Sequence, residues 1–510
     1  MEKSRTSYAV KNIFWGVFNK IINIVFPFAV RSVIIYVLGT EYLGLNTLFS
    51  SVLQVLNLAE MGISSAIVYS MYKPIATKNK VEVCALLSLY RKIYRIIGLV
   101  VLVIGLSFVP FLPNMINGSY PENANLAVLY FIYLVNTVMS YYFFSYKAAL
   151  LNACQQVSSV YNINTVTMSM QSIVQIIILF VFKDYLLFIA ALPIFTLLNN
   201  LLIGYVSHKK YPEYIPNGEV SGNIIKSIKK RVAGLFITKL CTTTRNALDS
   251  IFISAMIGLN AVAIYGNYYY IMGAVFSLVS IIVASLTASI GNSLAKESVK
   301  KNYDDMRKID FIFSWISGLC VIALLCLYQP FMTLWVGSNL LFPYHMVILF
   351  ALYFYSLCAG SIRAAYHDAA GLWWEARYRA VLETIANVVL NFILTLLMGI
   401  AGTILSTIIS ILVINFGYGT SIVFKNYFKG ISMKQFFGDH FKYLIVTVIA
   451  AIVTVAVCSA IRVSGLAAIV FNGIMCLVIP NIIFYAVYRK TSLFKTSAVV
   501  LKNIKKDKGR

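Results

Sequence analysis

Long apolar stretches, separated by short polar connections, run along almost the whole chain. Each approaches or exceeds the roughly 20 residues that an α-helix needs to cross a bilayer. The pattern predicts an all-α membrane protein with about 14 transmembrane helices. The predicted spans are residues 12–38, 43–72, 92–113, 124–150, 158–183, 185–206, 233–257, 261–290, 311–337, 344–367, 376–398, 401–424, 441–461 and 466–488.

The composition of the 510 residues supports this prediction, because 60% are hydrophobic, only 12% are charged and the mean hydropathy is +0.81. A soluble globular protein carries roughly 25% charged residues. The composition therefore excludes a soluble enzyme, a disordered protein and a collagen-like protein. The first apolar stretch is long and lacks a small-residue cleavage site, so we expect a retained span rather than a removed signal peptide.

Basic residues are unevenly distributed among the connections. The chain has 42 Lys and Arg against 18 Asp and Glu, a net charge of +24. Basic residues of membrane proteins collect on the cytoplasmic side, so this excess indicates topology rather than nucleic-acid binding. With the N-terminus inside, only Lys183 and Arg462 fall in outer connections, which predicts two cytoplasmic termini. The inner connections Lys73–Arg95 and Lys296–Asp310 are predicted to be basic loops.

The chain contains a repeat, found by comparing it with itself at a shift of 219 residues. The aligned pairs are Lys11 with Lys230, Lys20 with Lys239, and Gly39 with Gly258. The shift contains six spans, an even number, so both halves have the same orientation in the membrane. This predicts two parallel six-helix lobes around a central cavity, residues 1–206 and 233–424, then two extra helices in 425–488 and a basic cytoplasmic tail, 489–510. Chance similarity between apolar segments is the alternative explanation.

The connection between the lobes, residues 207–232, is the longest inner connection and contains Pro212, Pro216 and Gly218. In residues 224–230 isoleucines alternate with lysines, which suits a short helix lying on an anionic inner leaflet. A solvated linker is the other arrangement, and the sequence leaves both open.

The sequence lacks the motifs of common enzymes. It has no GxxxxGK[ST] phosphate loop, no GxSxG and no HExxH motif. Its eight cysteines form no CxxC pair, which predicts free thiols, and its four histidines have no metal-ligand spacing. We therefore expect a protein that is not an enzyme and needs no metal or other cofactor, with coupling to H⁺ or Na⁺ left open.

Two cations lie within the first predicted span. Lys20 and Arg31 are eleven residues apart, which places them on one helix face at a separation of about 16 Å. The polar residues Asn19 and Asn23 flank Lys20. Ionisable groups inside a membrane usually face a cavity or a partner, so this face suits the passage of an anionic substrate. The alternative is that the two side chains reach toward opposite membrane surfaces.

The seventh and second predicted spans carry further ionisable groups. Lys239 is the repeat partner of Lys20, and Arg245 and Asp249 have the i,i+4 spacing of a pair on one helix face. Two roles are open for these residues: the cations contact substrate, or Arg245 and Asp249 neutralise each other. Glu60 either pairs across helices or carries a coupling proton or cation.

Two more ionisable residues lie in predicted spans of the second lobe. Arg363 is near the inner end of its span, so we expect its side chain to extend toward water. Glu383 gives no indication of a role. Neither residue belongs to the predicted path for an anion.

Four segments carry a family resemblance: residues 31–45 (RSVIIYVLGTEYLGL), 58–63 (LAEMGI), 245–249 (RNALD) and 263–268 (AIYGNY). They resemble the Wzx-type flippases, the polysaccharide branch of the multidrug/oligosaccharidyl-lipid/polysaccharide exporter superfamily. The resemblance implies transfer of an undecaprenyl-diphosphate-linked oligosaccharide from the inner to the outer leaflet of a bacterial cytoplasmic membrane, through a cation-lined cavity and without ATP. It implies membrane lipids, a polysaccharide polymerase and chain-length machinery as partners.

We therefore expect a lipid-linked oligosaccharide flippase that works by alternating access. The expected substrate-binding cations are Lys20, Arg31, Lys239 and Arg245, and the coupling or charge-pairing residues are Glu60 and Asp249. The main alternative is a cation-coupled drug exporter of the same superfamily, whose cavity should be acidic and aromatic. Short outer connections disfavour a membrane glycosyltransferase or polymerase. The absence of a GxxxDRxGRR-like loop after the second span disfavours a major-facilitator symporter.

Overall fold

The computed structural model of the protein describes residues 5–57, 63–118, 120–122, 124–222, 225–226, 228, 243–245, 247–461 and 463–497. The regular structure of these residues is helical, and none of them forms a β-strand. The helices are α1 (Arg5–Val37), α2 (Thr40–Leu56), α3 (Ile63–Ala76), α4 (Lys80–Ser107), α5 (Leu126–Tyr142), α6 (Tyr146–Ala153), α7 (Val157–Phe182), α8 (Tyr185–Lys210), α9 (Leu259–Lys296), α10 (Val299–Val336), α11 (Tyr344–Ala359), α12 (Ser361–Ala369), α13 (Arg377–Met398), α14 (Ile400–Ile409), α15 (Gly419–Asn426), α16 (Met433–Ala460) and α17 (Gly465–Tyr488). A π-helical segment, Ser410–Tyr418, joins α14 to α15, and residues 247–256 are also helical.

Eleven of the described helical segments are long and apolar enough to cross a membrane, and α5 with α6, bent by 46°, makes a twelfth. They correspond in order to twelve of the predicted spans, which confirms an all-α, multi-pass membrane protein. The remaining two predicted spans are incomplete in the described chain. Residues 58–62 of the span 43–72 and residues 233–242 of the span 233–257 lie outside the described residues.

Two predicted inner loops are largely helical, so the prediction of loops there was wrong. α4 already begins at Lys80 and α10 at Val299, which leaves only residues 77–79 and 297–298 between helices. The charged residues at these positions do not mark breaks between spans. They lie instead on the exposed faces of helices whose other faces are buried, a pattern that extends a helix beyond the apolar core of a bilayer.

Helix N-caps recur at the shift of 219 residues. Asn79 caps α4, because its Oδ1 accepts a hydrogen bond from the backbone N–H of Glu82 at 3.2 Å. Ser298 caps α10 in the same way, its Oγ accepting from the N–H of Lys301 at 3.3 Å. A side-chain cap satisfies one of the free N–H groups that begin every helix.

Helix C-termini recur at the same shift. Gly39 and Gly258 have φ angles of 93° and 126°, which a residue with a Cβ rarely adopts. Each donates its backbone N–H to a carbonyl five residues earlier, Gly39 to Ile34 at 3.1 Å and Gly258 to Ile253 at 3.0 Å. The same glycine turn thus ends a helix twice, which supports the repeat in physical terms.

The chain divides into two compact units, Met1–Ala263 and Ile264–Arg510. The connection after α8 packs on the first unit. The N–H of Asn217 donates to the carbonyl of Cys84 at 3.2 Å, and Ile228 is 5% exposed within the core of that unit. Burial raises the pKa of the Cys154 thiol to about 11, so the thiol stays protonated beside Tyr211. Most of residues 211–222 are exposed, as in a solvated linker, although Ile228 is buried, and residues 223–224, 227 and 229–232 of the connection lie outside the described residues.

In the second unit the two C-terminal helices, α16 and α17, pack on α10. The indole N–H of Trp315 donates to Oδ1 of Asn481 on α17 at 2.8 Å. Arg307 of α10 forms an ion pair with Asp439 of α16 at 2.7 Å. Beyond α17 the chain returns to α10, where the ring of Phe494 lies 6.0 Å from that of Trp315. The first residues of the predicted tail are therefore packed against the unit.

Candidate functional site

Lys20, the first predicted cation, lies on a polar stretch of α1 that packs against α7. Asn19 Nδ2 donates to Thr165 Oγ1 at 2.9 Å, and Asn23 Nδ2 donates to Asn19 Oδ1 at 3.0 Å. Lys20 itself is half-buried, and no side chain among the described residues forms an ion pair or hydrogen bond with it. A half-buried ammonium without a carboxylate beside it suits transient contact with an anion.

Arg31 is half-buried on the same helix, and Pro27 lies between it and Lys20. Proline has no N–H to donate to the carbonyl four residues earlier, and its ring crowds the preceding turn, so it kinks a helix. The predicted alignment of Lys20 and Arg31 on one face assumed an undistorted helix. That alignment, and the role of both residues, stay predictions.

Arg245 and Asp249 are both buried, 6% and 0% exposed, and both belong to the first compact unit. Both residues have helical backbone, as the predicted i,i+4 pairing requires. Burial of both at this spacing suits mutual neutralisation, one of the two roles left open by the sequence. The predicted cation Lys239 and the predicted coupling residue Glu60 lie outside the described residues.

A second group of intramembrane charges lies in the second unit. Arg363 of α12 donates through Nη2 to the carbonyl and to Oδ1 of Asn415, both at 3.0 Å. Glu383 of α13 accepts from Asn415 Nδ2 at 2.9 Å and from Arg379 Nη1 at 3.2 Å. All three charged residues are less than 9% exposed. Arg363 therefore does not extend toward water, and that prediction was wrong.

The π-helical segment places Asn415 between these charges. Two glycines make room for the guanidinium group of Arg363: a Cβ at Gly360 would lie 2.8 Å from its Nη2, and one at Gly419 would lie 2.6 Å from its Nη1. The guanidinium group of Arg363 therefore packs closely against Gly360 and Gly419. π-Helical segments are rare, and this one carries the side chain of Asn415 that bonds both Arg363 and Glu383.

A ladder of neutral polar side chains continues from Glu383 along α13. Asn387 Nδ2 donates to Thr407 Oγ1 at 3.0 Å, and Asn391 Oδ1 accepts from Ser406 Oγ at 2.6 Å. Thr395 and Thr403 follow, with their hydroxyls 2.8 Å apart. All of these side chains are buried between α13 and α14. Each polar group has a partner in place of water, as a membrane interior requires.

The sequence contains a signal for this second group beyond the predicted site residues. Arg379, Glu383, Asn387, Asn391 and Thr395 follow one another at intervals of four, which is the spacing of a single polar face along α13. Its partners Arg363 and Asn415 come from other segments and have no such signature. Among the described residues no group of three or more His, Cys, Asp and Glu side chains is placed to hold a metal ion.

No protein-family model and no curated protein matches the sequence. Solved structures of similar fold do match. The structure of the lipid II flippase MurJ in an inward closed conformation has a TM-score of 0.65 at 14% identity, covering 94% of this chain and 99% of that one. An inward-facing multidrug resistance MATE family transporter of the MOP superfamily gives 0.63 at 15% identity, covering 81% and 96%.

The Vibrio cholerae MATE transporter VcmN in the bent form is a further structure of this kind, with a TM-score of 0.55 at 14% identity over 83% of this chain and 97% of that one. Identities this low show the fold alone. The chain therefore has the fold of the MOP-superfamily transporters and flippases, and the proteins it resembles are transporters rather than enzymes.

Proposed function

We propose that the protein is a flippase that moves an undecaprenyl-diphosphate-linked oligosaccharide from the inner to the outer leaflet of a bacterial cytoplasmic membrane by alternating access. The proposal rests on one observation: the ammonium group of Lys20 is half-buried in a membrane helix and has no carboxylate partner among the described residues. Such a group favours an anion, and a diphosphate is the anionic part of the proposed substrate. Both termini are proposed to lie in the cytoplasm.

In this proposal Lys20, Arg31 and Lys239 contact the diphosphate in turn as the carrier changes conformation. Asn23 is exposed on the same stretch of α1 and offers its Oδ1 as an acceptor for a sugar hydroxyl, whereas Asn19 is bound to Thr165. Cations in a low-dielectric surrounding attract phosphate more strongly than they do in water. The prenyl chain stays in apolar surroundings throughout, so only the polar head needs a path.

Arg245 and Asp249 have a separate place in the proposal. If they neutralise each other, Arg245→Ala alone leaves a buried carboxylate, and Asp249→Ala alone leaves a buried guanidinium group. Either single change should then lower the amount of folded protein more than the double change. If Arg245 contacts substrate, the double variant folds but remains inactive. Glu60 is proposed to bind the coupling H⁺ or Na⁺.

A cation-coupled multidrug exporter is the second candidate function. It is favoured by the similarity of the fold to MATE transporters, which is almost as close as the similarity to MurJ. Its substrates are commonly organic cations, which a free ammonium at Lys20 would repel. The two candidates therefore differ in the sign of the charge that α1 must accommodate.

The experiment is transport by the purified full-length protein in liposomes, with a fluorescent lipid-linked oligosaccharide in one set and a cationic dye in another. Lys20→Ala and Arg31→Ala should each slow flipping about tenfold or more, because a hydrogen bond to a charged group is worth about 1.5–3 kcal/mol. Lys20→Arg should retain part of the activity, and the exposed residue Lys92 supplies the control, Lys92→Ala. Unchanged flipping in Lys20→Ala and Arg31→Ala, or dye transport alone, would refute the flippase.

A further inference from the structure

The second unit contains a cavity of about 620 Å³ between α9 and α10, with Tyr366 of α12 as its third wall. This volume is within the range of about 300–1,000 Å³ typical of small-molecule sites. The cavity does not include the arginines or the polar ladder of α13. Ile282 on its α9 wall is 37% exposed, so the cavity is open along that helix within the second unit.

Hydrogen bonds join α9 to α10 at one end of the cavity, which we call the wedge. Ser293 Oγ of α9 donates to Asn302 Oδ1 of α10 at 2.7 Å. Asn302 Nδ2 in turn donates to the hydroxyl of Tyr427 at 3.0 Å. Asn302 is fully buried and fixes the turn between the two helices. Away from this turn the helices leave the space that forms the wedge.

The wedge is polar at the end near the turn between α9 and α10 and apolar at the opposite end. Lys308 Nζ and Asp305 Oδ1 form an ion pair of 2.8 Å near the turn, and their side chains are 26% and 33% exposed. Farther along, the lining consists of apolar side chains such as Ile282, Leu286 and Ile316. From Asp305 to Ile316 the helix rises about 16 Å, so the apolar part is long enough for a stretch of hydrocarbon chain.

We propose that this wedge binds a membrane phospholipid with a zwitterionic phosphoethanolamine headgroup. One hydrocarbon chain fills the apolar part, the phosphate accepts hydrogen bonds from Lys308, and the ammonium group donates to Asp305. The charges at the mouth argue for this headgroup, because one cation and one anion side by side complement a phosphate and an ammonium. A phosphatidylglycerol headgroup would satisfy Lys308 but leave Asp305 without a cationic partner.

The ion pair and the hydrocarbon wall make separate contributions that can be tested separately. Asp305→Asn removes the partner of the ammonium group without changing the shape of the wedge. Lys308→Gln removes the partner of the phosphate. Leu286→Trp fills the apolar part, and Ile348→Trp, in a different apolar cavity of about 250 Å³, is the matched control for a bulky substitution.

The experiment is native mass spectrometry of the purified full-length protein after exchange into detergent with equal amounts of phosphatidylethanolamine and phosphatidylglycerol. We expect at least one phosphatidylethanolamine retained, with a preference of about fivefold or more over phosphatidylglycerol. Asp305→Asn should abolish the preference, and Lys308→Gln should weaken retention of both lipids. Leu286→Trp should remove the bound lipid, whereas Ile348→Trp should not.

Three outcomes would overturn the proposal. They are no retained lipid in the unmodified protein, equal or better retention of phosphatidylglycerol, and an unchanged preference in Asp305→Asn. If Leu286→Trp fails to fold, a photoreactive residue in place of Ile312 tests whether phosphatidylethanolamine occupies the wedge. It should form a crosslink with phosphatidylethanolamine that excess unlabelled phosphatidylethanolamine suppresses and that excess phosphatidylglycerol leaves in place.

Discussion

α1 in the first unit and α13 in the second both carry ionisable residues within the membrane, but the compared side chains, Lys20 and Glu383, differ in burial and in their partners. Lys20 of α1 is half-buried and forms no ion pair with a described residue. Glu383 of α13 is 6% exposed and is bound by Arg379 and Asn415. Intramembrane charge alone therefore does not indicate function. Partners and exposure separate a charge that stabilises the fold from one that can receive a ligand.

The energetics explain the difference. A buried charge is expensive to desolvate, and its partners offset that penalty only when the geometry is good. The group of Arg363, Arg379 and Glu383 meets this condition through Asn415, so removal of one member should affect folding first. An incompletely buried ammonium retains some hydration, so removal of Lys20 should affect transport first.

The largest expected effect is that of Glu383→Gln on folding. The change leaves two buried guanidinium groups without their carboxylate, which typically costs about 3–5 kcal/mol. We expect little folded protein in the membrane and a strongly lowered temperature of aggregation in detergent. Glu375→Gln, on the exposed connection before α13, should behave like the unmodified protein. Normal folding of Glu383→Gln would remove the distinction drawn between α1 and α13.

Asn415→Leu should have the next largest effect. It removes the side-chain hydrogen bonds of Asn415 to Arg363 and Glu383. It leaves the bond from Arg363 to the backbone carbonyl and the ion pair between Glu383 and Arg379, so we expect a loss of about 2 kcal/mol. The midpoint of chemical unfolding in mixed micelles measures it. Ser421→Ala, which removes an exposed hydroxyl on α15, is the control. An effect as small as that of the control would mean that the π-helical segment does not depend on Asn415.

The matched caps should give a smaller effect, equal in the two units. Asn79→Ala and Ser298→Ala each remove one N-cap, worth about 1 kcal/mol. Protease sensitivity at residues 77–79 and 297–298, measured on the full-length protein, should rise to a similar degree in both variants. Aspartate at either position should preserve the cap. A large difference between the two variants would show that the repeated caps serve different purposes.

The smallest expected effect on stability is that of Lys20→Ala. A substitution of a half-buried side chain without an ion-pair partner should change the free energy of unfolding by about 0.5 kcal/mol or less. Thermal unfolding in detergent, measured beside Glu383→Gln, tests the contrast. A loss of more than about 2 kcal/mol would place Lys20 among the structural charges and remove the main support for the proposed flippase.

Hydrophobic runs were sufficient to predict the helical class and the order of the spans, because each membrane helix needs its own apolar length. The starts of α4 and α10 were missed, because their charged turns extend beyond that length and depend on the caps Asn79 and Ser298. The role of Glu383 was missed for a different reason. Its partners Asn415 and Arg363 lie 32 and 20 residues away in sequence, and only the folded chain brings them together.

The tight junction between α13 and α14 has a consequence for how the protein is made. A Cβ at Gly402 would collide with the carbonyl oxygen of Leu394, so the two helices touch directly beside their connection. During synthesis α13 would expose Asn387 and Asn391 to lipid if it left the insertion machinery alone. Because their partners Thr407 and Ser406 follow within 20 residues, the two helices can enter the bilayer together as one hairpin. A bulky residue at Gly402 would then impair insertion of this hairpin during biogenesis, rather than substrate binding by the finished protein.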